Sequence, residues 1–247
     1  MTEDGQAPED RASGTGPTAD GRFIQVLALG IDSAWRRLDR QDRVAQMAVT
    51  AHADQWASDA VDSLVYSSIG LEAGVDLVLW RTAPALDELE AAAARTLREG
   101  IGPWLTVRHS FLARTGPSRY APRSTDQTQA LQHGDRGRYL IVYPFSKSAD
   151  WYLLSREARQ GIMNEHMRIG HEYTSVRQAL GYSFGLDDQD FVVAYETDDM
   201  AAFGDLVRDL RATESRRATT KDTPILVGVK REWKEIAELL GAGEISR

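Results

Sequence analysis

The feature that most constrains the fold of this 247-residue chain is an internal repeat. Residues of the first half recur 116 positions later in the second half. The clearest pairs are Trp35 with Trp151, Leu38 with Leu154, and Arg43 with Arg159. Weaker matches join 23–26 to 139–142 and 66–71 to 182–186. Self-similarity at a fixed offset is typical of a duplicated structural unit, so we expect two similar halves.

Each half has the same predicted order of elements, β-α-β-β-α-β, which is the split ferredoxin-like arrangement. Hydrophobic periodicity predicts first-half strands at 23–29, 60–69, 75–82 and 104–112, with helices at 33–57 and 84–99. It predicts second-half strands at 139–145, 177–186, 190–197 and 224–229, with helices at 155–173, 199–214 and 231–240. The predicted fold class is α+β, with two ferredoxin-like repeats packed as a dimeric α+β barrel. We expect the two sheets to face each other and enclose a ligand cavity.

Composition divides the chain into four segments. Residues 1–22 lack Val, Ile, Leu and aromatic side chains, which predicts a disordered tail. An N-terminal half over 23–112 and a C-terminal half over 139–247 follow, joined by an inter-half loop over 113–138. The loop is polar and turn-rich, so a plain linker and a lid beside a pocket are both open interpretations.

Cysteine content and net charge exclude several classes of site. The chain has no cysteine, which excludes disulfides, cysteine-ligated zinc and iron–sulfur clusters. Its net charge of −8 argues against nucleic-acid partners and anionic membranes. No apolar run approaches the roughly 18 residues of a membrane span, and no signal pattern is present. We therefore expect a cytoplasmic protein.

His166 has the most suggestive setting of the five histidines. It lies on a predicted helix among apolar residues at helical spacing, namely Ile162, Met163, Ile169 and Tyr173. No paired histidine spacing typical of a metal site is present. A structural core histidine has the same pattern, so the pattern alone leaves a packing role and a ligand role open.

Two further segments carry chemistry-bearing side chains. The segment 138–154 combines aromatic residues, including Tyr143 and Trp151, with Lys147; aromatic residues at strand spacing are also typical of a core. The segment 210–222 gathers Arg211 and Arg216 near a helix end, around Glu214. Those arginines either complement the helix dipole or bind carboxylates.

Three stretches of the second half closely resemble the chlorite dismutase superfamily: YPFSKSADWYLL at 143–154, NEHMRIGHEY at 164–173 and YSFGLDDQDFVVAYETDD at 182–199. That superfamily includes chlorite dismutases and the coproheme decarboxylases of bacterial haem synthesis. The resemblance extends over about 23–230 and is strongest over 139–228. It implies a non-covalent haem, either haem b or iron-coproporphyrin, whose iron is ligated by His166. It also implies that Glu214 orients the imidazole.

The resemblance assigns roles to further residues. Tyr143 matches the tyrosine that forms a radical in coproheme decarboxylases, Lys147 a lysine that contacts a propionate, and Trp151 a tryptophan of the cavity wall. Arg216 occupies a position where some decarboxylases have a propionate-binding serine. Together with Lys147 and Arg211, it would hold carboxylates.

The branches of the superfamily differ in one residue on the distal side of the haem, which is the side opposite His166. Chlorite dismutases carry an arginine there. Counting back from Gly185 places Gln178 at that position, whereas counting forward from His166 places Ala179 there. A glutamine resembles one branch of the coproheme decarboxylases, but a slip of one residue would bring Arg177 to the pocket instead.

The resemblance favours peroxide-dependent decarboxylation of iron-coproporphyrin to haem b. One alternative is a haem peroxidase or oxidase acting on another small molecule in secondary metabolism, or a chlorite dismutase. Another is a non-enzymatic haem carrier or sensor. The expected partners are a porphyrin and hydrogen peroxide or another small oxidant. The resemblance also implies a homo-oligomeric ring, usually a pentamer.

Overall fold

The computed structural model describes residues 21–55, 60–118, 120 and 136–243. The first half contains strands β1 (Phe23–Ile31), β2 (Asp62–Glu72), β3 (Val75–Ala83) and β4 (Leu105–Arg114), with helices α1 (Arg40–Gln55) and α2 (Leu86–Arg98). The second half contains strands β5 (Tyr139–Lys147), β6 (Arg177–Tyr182), β7 (Phe191–Thr197), β8 (Thr219–Lys221) and β9 (Leu226–Lys230). Its helices are α3 (Ala149–Leu153), α4 (Arg156–Glu172), α5 (Met200–Arg211) and α6 (Trp233–Leu239). Short 3-10 turns lie at Trp35–Arg37, Gly102–Trp104 and Glu214–Ala218.

The two halves contribute equivalent antiparallel sheets. Their strand orders are β4-β1-β3-β2 and β9-β5-β7-β6, which match strand for strand. The sheets join where β4 pairs with β6 and where β2 pairs with β9, and the result is a closed eight-stranded barrel. The short strand β8 adds to β5 outside this ring. The predicted α+β class and dimeric α+β barrel are confirmed.

The barrel interior is a packed core. Apolar side chains from all eight barrel strands fill it, including Tyr66, Trp80, Phe111, Leu140 and Val192. An eight-stranded barrel is about wide enough for its own side chains. The expectation of a ligand cavity enclosed between the two sheets is therefore wrong.

A buried carboxylate connects the two halves at one end of this core. Glu196 of β7 has no exposed surface and accepts hydrogen bonds from the Tyr66 hydroxyl, the Arg136 guanidinium and the Gly137 backbone N–H. Burial and the neighbouring carboxylate raise the pKa of Tyr66 well above its usual value, so the phenol stays protonated. The ion pair between Arg136 and Glu196, with the hydrogen bond from Tyr66, therefore fixes the end of the inter-half loop to both repeats.

Several predicted boundaries differ from the observed ones for local reasons. The predicted helix over 33–57 starts at Arg40, because Trp35–Arg37 forms a separate 3-10 turn. The predicted strand over 177–186 stops at Tyr182, and Gly185 adopts φ +72° in the turn that follows. Arg22, assigned to the tail, instead binds Asp62, Thr82 and Ala60 of the first half.

Other sequence-based expectations lie outside the described residues. These are the disorder of residues 1–20 and most of the inter-half loop, where 119 and 121–135 are not described. Within the part of the chain that the structure describes, no helix is long and apolar enough to cross a bilayer.

The C-terminal helix α6 completes the core of the first half. Trp233, Ile236 and Leu240 pack with Trp35 and the outer face of β1 and β3. The Trp233 indole Nε1 also donates to the Asp54 carboxylate at 2.9 Å. Asp54 in turn pairs with the buried Arg81 at 3.0 Å.

We expect Trp233→Ala to lower the free energy of unfolding by about 3–5 kcal/mol, because a large buried side chain is lost. Leu239→Ala, on the exposed side of the same helix, should change it by less than about 0.5 kcal/mol. Urea denaturation of both variants measures the difference. Equal losses in the two variants would show that α6 is not part of the core.

Candidate functional site in the outer groove of the second repeat

The outer face of β5, β6 and β7 forms the floor of a groove. Tyr143, Leu180, Val193 and Tyr195 lie on this face and pack in one apolar cluster. Helix α5 packs on this cluster, whereas helix α4 lies beside α5 and the 3-10 turn at Glu214–Ala218, and none of the residues of α4 is fully buried. In contrast, α1, its counterpart in the first repeat, buries Met47, Thr50 and Ala53. We infer that α4 stands off the sheet, and we call the space between them the outer groove.

His166 lies on α4 and is half-buried. Its Nδ1 is 3.0 Å from the Ser215 hydroxyl, while Nε2 has no hydrogen-bond partner among the described residues. Burial, reinforced by the positive charge of Lys147, lowers the pKa of this imidazole to about 4. His166 is therefore neutral at physiological pH, the form that binds metals.

Glu214 does not occupy its expected place beside the imidazole. Its carboxylate pairs with Arg217 at 3.0 Å, and its side chain is 54% exposed. The next residue, Ser215, faces His166 instead and is 3% exposed. In the tight 3-10 turn at Glu214–Ala218, consecutive side chains point in directions about 120° apart. Only one of these two neighbours can therefore reach His166.

Lys147 lies at the end of β5, near His166. Its ammonium donates to the Ser215 carbonyl at 2.9 Å and to the Thr219 hydroxyl at 3.1 Å. It also lies 4.9 Å from the centre of a Trp151 ring, a cation–π distance. Burial, with the positive charge of Arg216, lowers its pKa to about 8.

Trp151 is buried and contacts a segment that is distant in the chain. It lies in the short helix α3, which begins with a cap by Ser148. The ring of Tyr120, from the inter-half loop, meets Trp151 edge-on with 6.4 Å between centroids. The Tyr120 carbonyl accepts a hydrogen bond from Gln160 of α4 at 3.0 Å. This part of the loop therefore lies at the site.

Tyr143 stacks on the buried Tyr195, and their ring centroids are 6.1 Å apart. Burial raises the pKa of both phenols, so both are protonated at neutral pH. Asp222 and Arg216 form an ion pair that acts electrostatically on Tyr143, as does Arg211. Arg211 itself is exposed and makes no hydrogen bond or ion pair among the described residues.

Gln178, not Arg177, shares a sheet face with Tyr143. The β6–β7 register is regular, and Gln178 pairs with Tyr195. Ala179 points into the barrel interior, whereas Leu180 packs in the outer cluster. Because strand side chains alternate, Gln178 lies on the outer face and Arg177 on the interior one.

The structure thus brings five of the eight predicted site residues to this groove or its floor: Tyr143, Lys147, Trp151, His166 and Gln178. Arg216 is close but paired with Asp222, Arg211 lies at the surface, and Glu214 points away. Sequence reasoning missed Ser215, Tyr195 and Tyr120. Tyr195 lies in a predicted strand and in the family-like stretch 182–199, which could have indicated it. No motif or periodic pattern marks Ser215 or Tyr120, whose contacts join segments far apart in the chain.

We expect His166 to remain neutral between about pH 5 and pH 8. An unperturbed histidine would titrate at 6.5 within this range. NMR chemical shifts of its ring, assigned with a His166→Gln variant, would measure the pKa. Lys147→Met should raise that pKa only in part, because burial is the larger cause. An inflection near the unperturbed value in the unsubstituted protein would contradict the burial argument.

A family model described as chlorite dismutase matches residues 40–231, which is most of the chain. The coproheme decarboxylase of Mycolicibacterium smegmatis is 31% identical over 209 residues, covering 84% of this chain and 89% of that protein. A variant of the chlorite dismutase from Candidatus Nitrospira defluvii superposes with a TM-score of 0.82 at 27% identity, covering 91% of this chain and 97% of that one.

The same dismutase in complex with imidazole superposes with a TM-score of 0.80 at 27% identity. It covers 89% of this chain and 95% of that one. The duplicated barrel, the family model and these relatives agree, and the chain belongs to the chlorite dismutase family.

Proposed function

We propose that this protein binds an iron porphyrin in the outer groove and decarboxylates iron-coproporphyrin with hydrogen peroxide to give haem b. The observation that carries the proposal is the half-buried, neutral His166, whose Nε2 has no partner among the described residues, beside a groove that holds Tyr143 and Lys147. The similarity to a coproheme decarboxylase supports the choice of substrate.

The side chains of the outer groove suit an iron porphyrin, because they include a ligand for the iron and apolar walls. The outer cluster provides apolar walls for a flat macrocycle, and the Nε2 lone pair of a neutral imidazole is a common ligand for iron. Three cationic side chains are available to pair with carboxylates: Lys147 in the groove, and Arg211 and Arg216, which act electrostatically on Tyr143. Lys147 uses two of its three N–H donors on protein oxygens, which leaves one for a substrate.

We assign substrate binding to His166 and the three cations. His166 holds the iron, and Lys147, Arg211 and Arg216 hold propionates. Arg216 would have to share its guanidinium with Asp222. Trp151 forms a wall behind Lys147. Iron-coproporphyrin, as substrate, supplies the metal at which peroxide reacts.

Tyr143 is the residue that we expect to be oxidised. It loses its phenolic hydrogen and regains a hydrogen atom from the propionate methylene next to the ring. The remaining substrate radical gives up one more electron and releases carbon dioxide, which leaves a vinyl group. Each propionate, bound as the carboxylate, thus loses two electrons and one proton. With one further proton from solvent, these reduce one hydrogen peroxide to two waters.

Gln178 supports a decarboxylase over a chlorite dismutase. The resemblance places an arginine at this position in chlorite dismutases, and here a neutral amide shares the sheet face with Tyr143. A neutral side chain binds an anionic leaving group less well than a guanidinium does. We therefore expect poor chlorite conversion.

The first test mixes the purified full-length chain with iron-coproporphyrin and hydrogen peroxide. We expect mass spectrometry to show the product of one decarboxylation and then of two, each with loss of carbon dioxide and two hydrogens. His166→Ala should abolish the histidine-ligated absorption spectrum. An unchanged porphyrin with a normal spectrum would contradict the decarboxylase and favour a peroxidase, oxidase or carrier. Rapid oxygen release from chlorite would contradict the role given to Gln178.

The second test compares Tyr143→Phe with Tyr139→Phe, a matched change on the same strand. Loss of the Tyr143 hydroxyl should lower the decarboxylation rate by about 10²-fold or more, the size typical of losing a group that moves a proton. Tyr139→Phe should react at the rate of the unsubstituted protein. Both variants should bind the porphyrin with the same affinity as the unsubstituted protein. A fully active Tyr143→Phe variant would exclude Tyr143 as the oxidised residue.

The oligomeric ring remains a prediction from the family resemblance, and the cytoplasmic location remains a prediction from the composition of the sequence.

A further inference from the structure

We propose that Ser215 and Thr213 fix the tautomer of His166, so that Nδ1 carries the hydrogen and Nε2 presents its lone pair to a metal. Both are positioning residues that act through His166. The identity of that metal, the iron of a porphyrin, rests on the proposed function. The direction of the hydrogen bonds is independent of the proposed function, because it follows from the geometry of the protein alone.

The chain of hydrogen bonds starts at a carbonyl. The Thr213 hydroxyl lies 2.7 Å from the carbonyl oxygen of Leu210. A carbonyl oxygen can only accept, so the hydrogen between these two atoms belongs to Thr213. A hydroxyl has a single hydrogen, and Thr213 therefore has none left to donate elsewhere.

The donor in the two remaining hydrogen bonds, which lead to His166, then follows. The Ser215 and Thr213 hydroxyl oxygens are 3.1 Å apart, so Ser215 must donate and Thr213 accept. The Ser215 oxygen is 3.0 Å from His166 Nδ1, and its only hydrogen is already used. The hydrogen in this last contact must come from the imidazole, which assigns Nδ1–H and leaves Nε2 unprotonated.

Burial protects this relay. Thr213 and Ser215 are each 3% exposed, so water does not readily compete for their hydroxyls. Lys147 donates to the Ser215 backbone carbonyl at 2.9 Å and holds the turn in place. One residue, Ser215, thus positions His166 through its side chain and contacts Lys147 through its backbone.

The nature of the acceptor affects the strength of the ligand. A carboxylate at the second ring nitrogen of a metal-bound histidine raises the basicity of the ligand. Here the only carboxylate of the turn, Glu214, is paired with Arg217, and a neutral hydroxyl takes its place. We infer that His166 is a weaker electron donor than it would be with an acidic partner.

The direct test is NMR of the ¹⁵N-labelled full chain without porphyrin, using long-range correlations that distinguish the two ring nitrogens. We expect His166 in the Nδ1–H form. Thr213→Val removes the acceptor for Ser215 and frees the serine hydrogen to donate to Nδ1, so the Nε2–H form should appear. Thr213→Ser keeps the relay and should preserve the original form. Ser215→Ala is a second variant that removes the acceptor of Nδ1 directly.

An Nε2–H form in the unsubstituted protein would overturn the proposal, as would an unchanged tautomer in both Thr213→Val and Ser215→Ala. Neither result depends on whether the protein decarboxylates a porphyrin, so the two proposals fail separately. A second measurement uses the protein loaded with iron-coproporphyrin. Ser215→Asp should lower the iron reduction potential relative to Ser215, and an equal potential would overturn the inference about ligand strength.

Discussion

The dense packing of the barrel interior determines where this protein can bind a large ligand. Side chains from all eight barrel strands fill the space inside, with Tyr66, Trp80 and Phe111 among the largest. At one end the buried Glu196 forms an ion pair with Arg136 and accepts a hydrogen bond from Tyr66. A ligand as large as a porphyrin has no room in such an interior, so a site must lie between the sheet and its helices.

A duplicated fold provides two such outer faces, and they differ in what covers them. In the first repeat, α6 brings Trp233 and Ile236 against Trp35, and the face becomes a closed core. Thr50, which lies 116 positions before His166, is buried and accepts a hydrogen bond from the Ile101 N–H at 2.9 Å. In the second repeat, α4 buries no residue completely, and one ring nitrogen of His166 has no hydrogen-bond partner in the part of the chain that the structure describes. The repeated architecture therefore leaves one groove for a ligand.

The sequence predicted the architecture well, because both the period of its hydrophobic residues and its internal repeat are visible without knowledge of the tertiary structure. Alternating strands and helical stripes located every long element, although the helix predicted from 33 starts only at Arg40, and the repeat indicated the paired ferredoxin-like units. Tyr143, Lys147 and Trp151 are close in the chain, so their proximity in the structure was also foreseeable. The short elements α3, β8 and the 3-10 turn at Glu214–Ala218 were not predicted, because each is too brief to show a period.

The sequence by itself determined the duplication, the order of elements and the helix that carries His166. Only the tertiary structure decided which of two neighbours serves the site. The β6–β7 register places Gln178 rather than Arg177 on the outer face, and the 3-10 turn presents Ser215 rather than Glu214 to the imidazole. Adjacent residues share almost the same sequence environment. Their side chains point in different directions, and contacts with segments distant in the chain determine which one faces the groove.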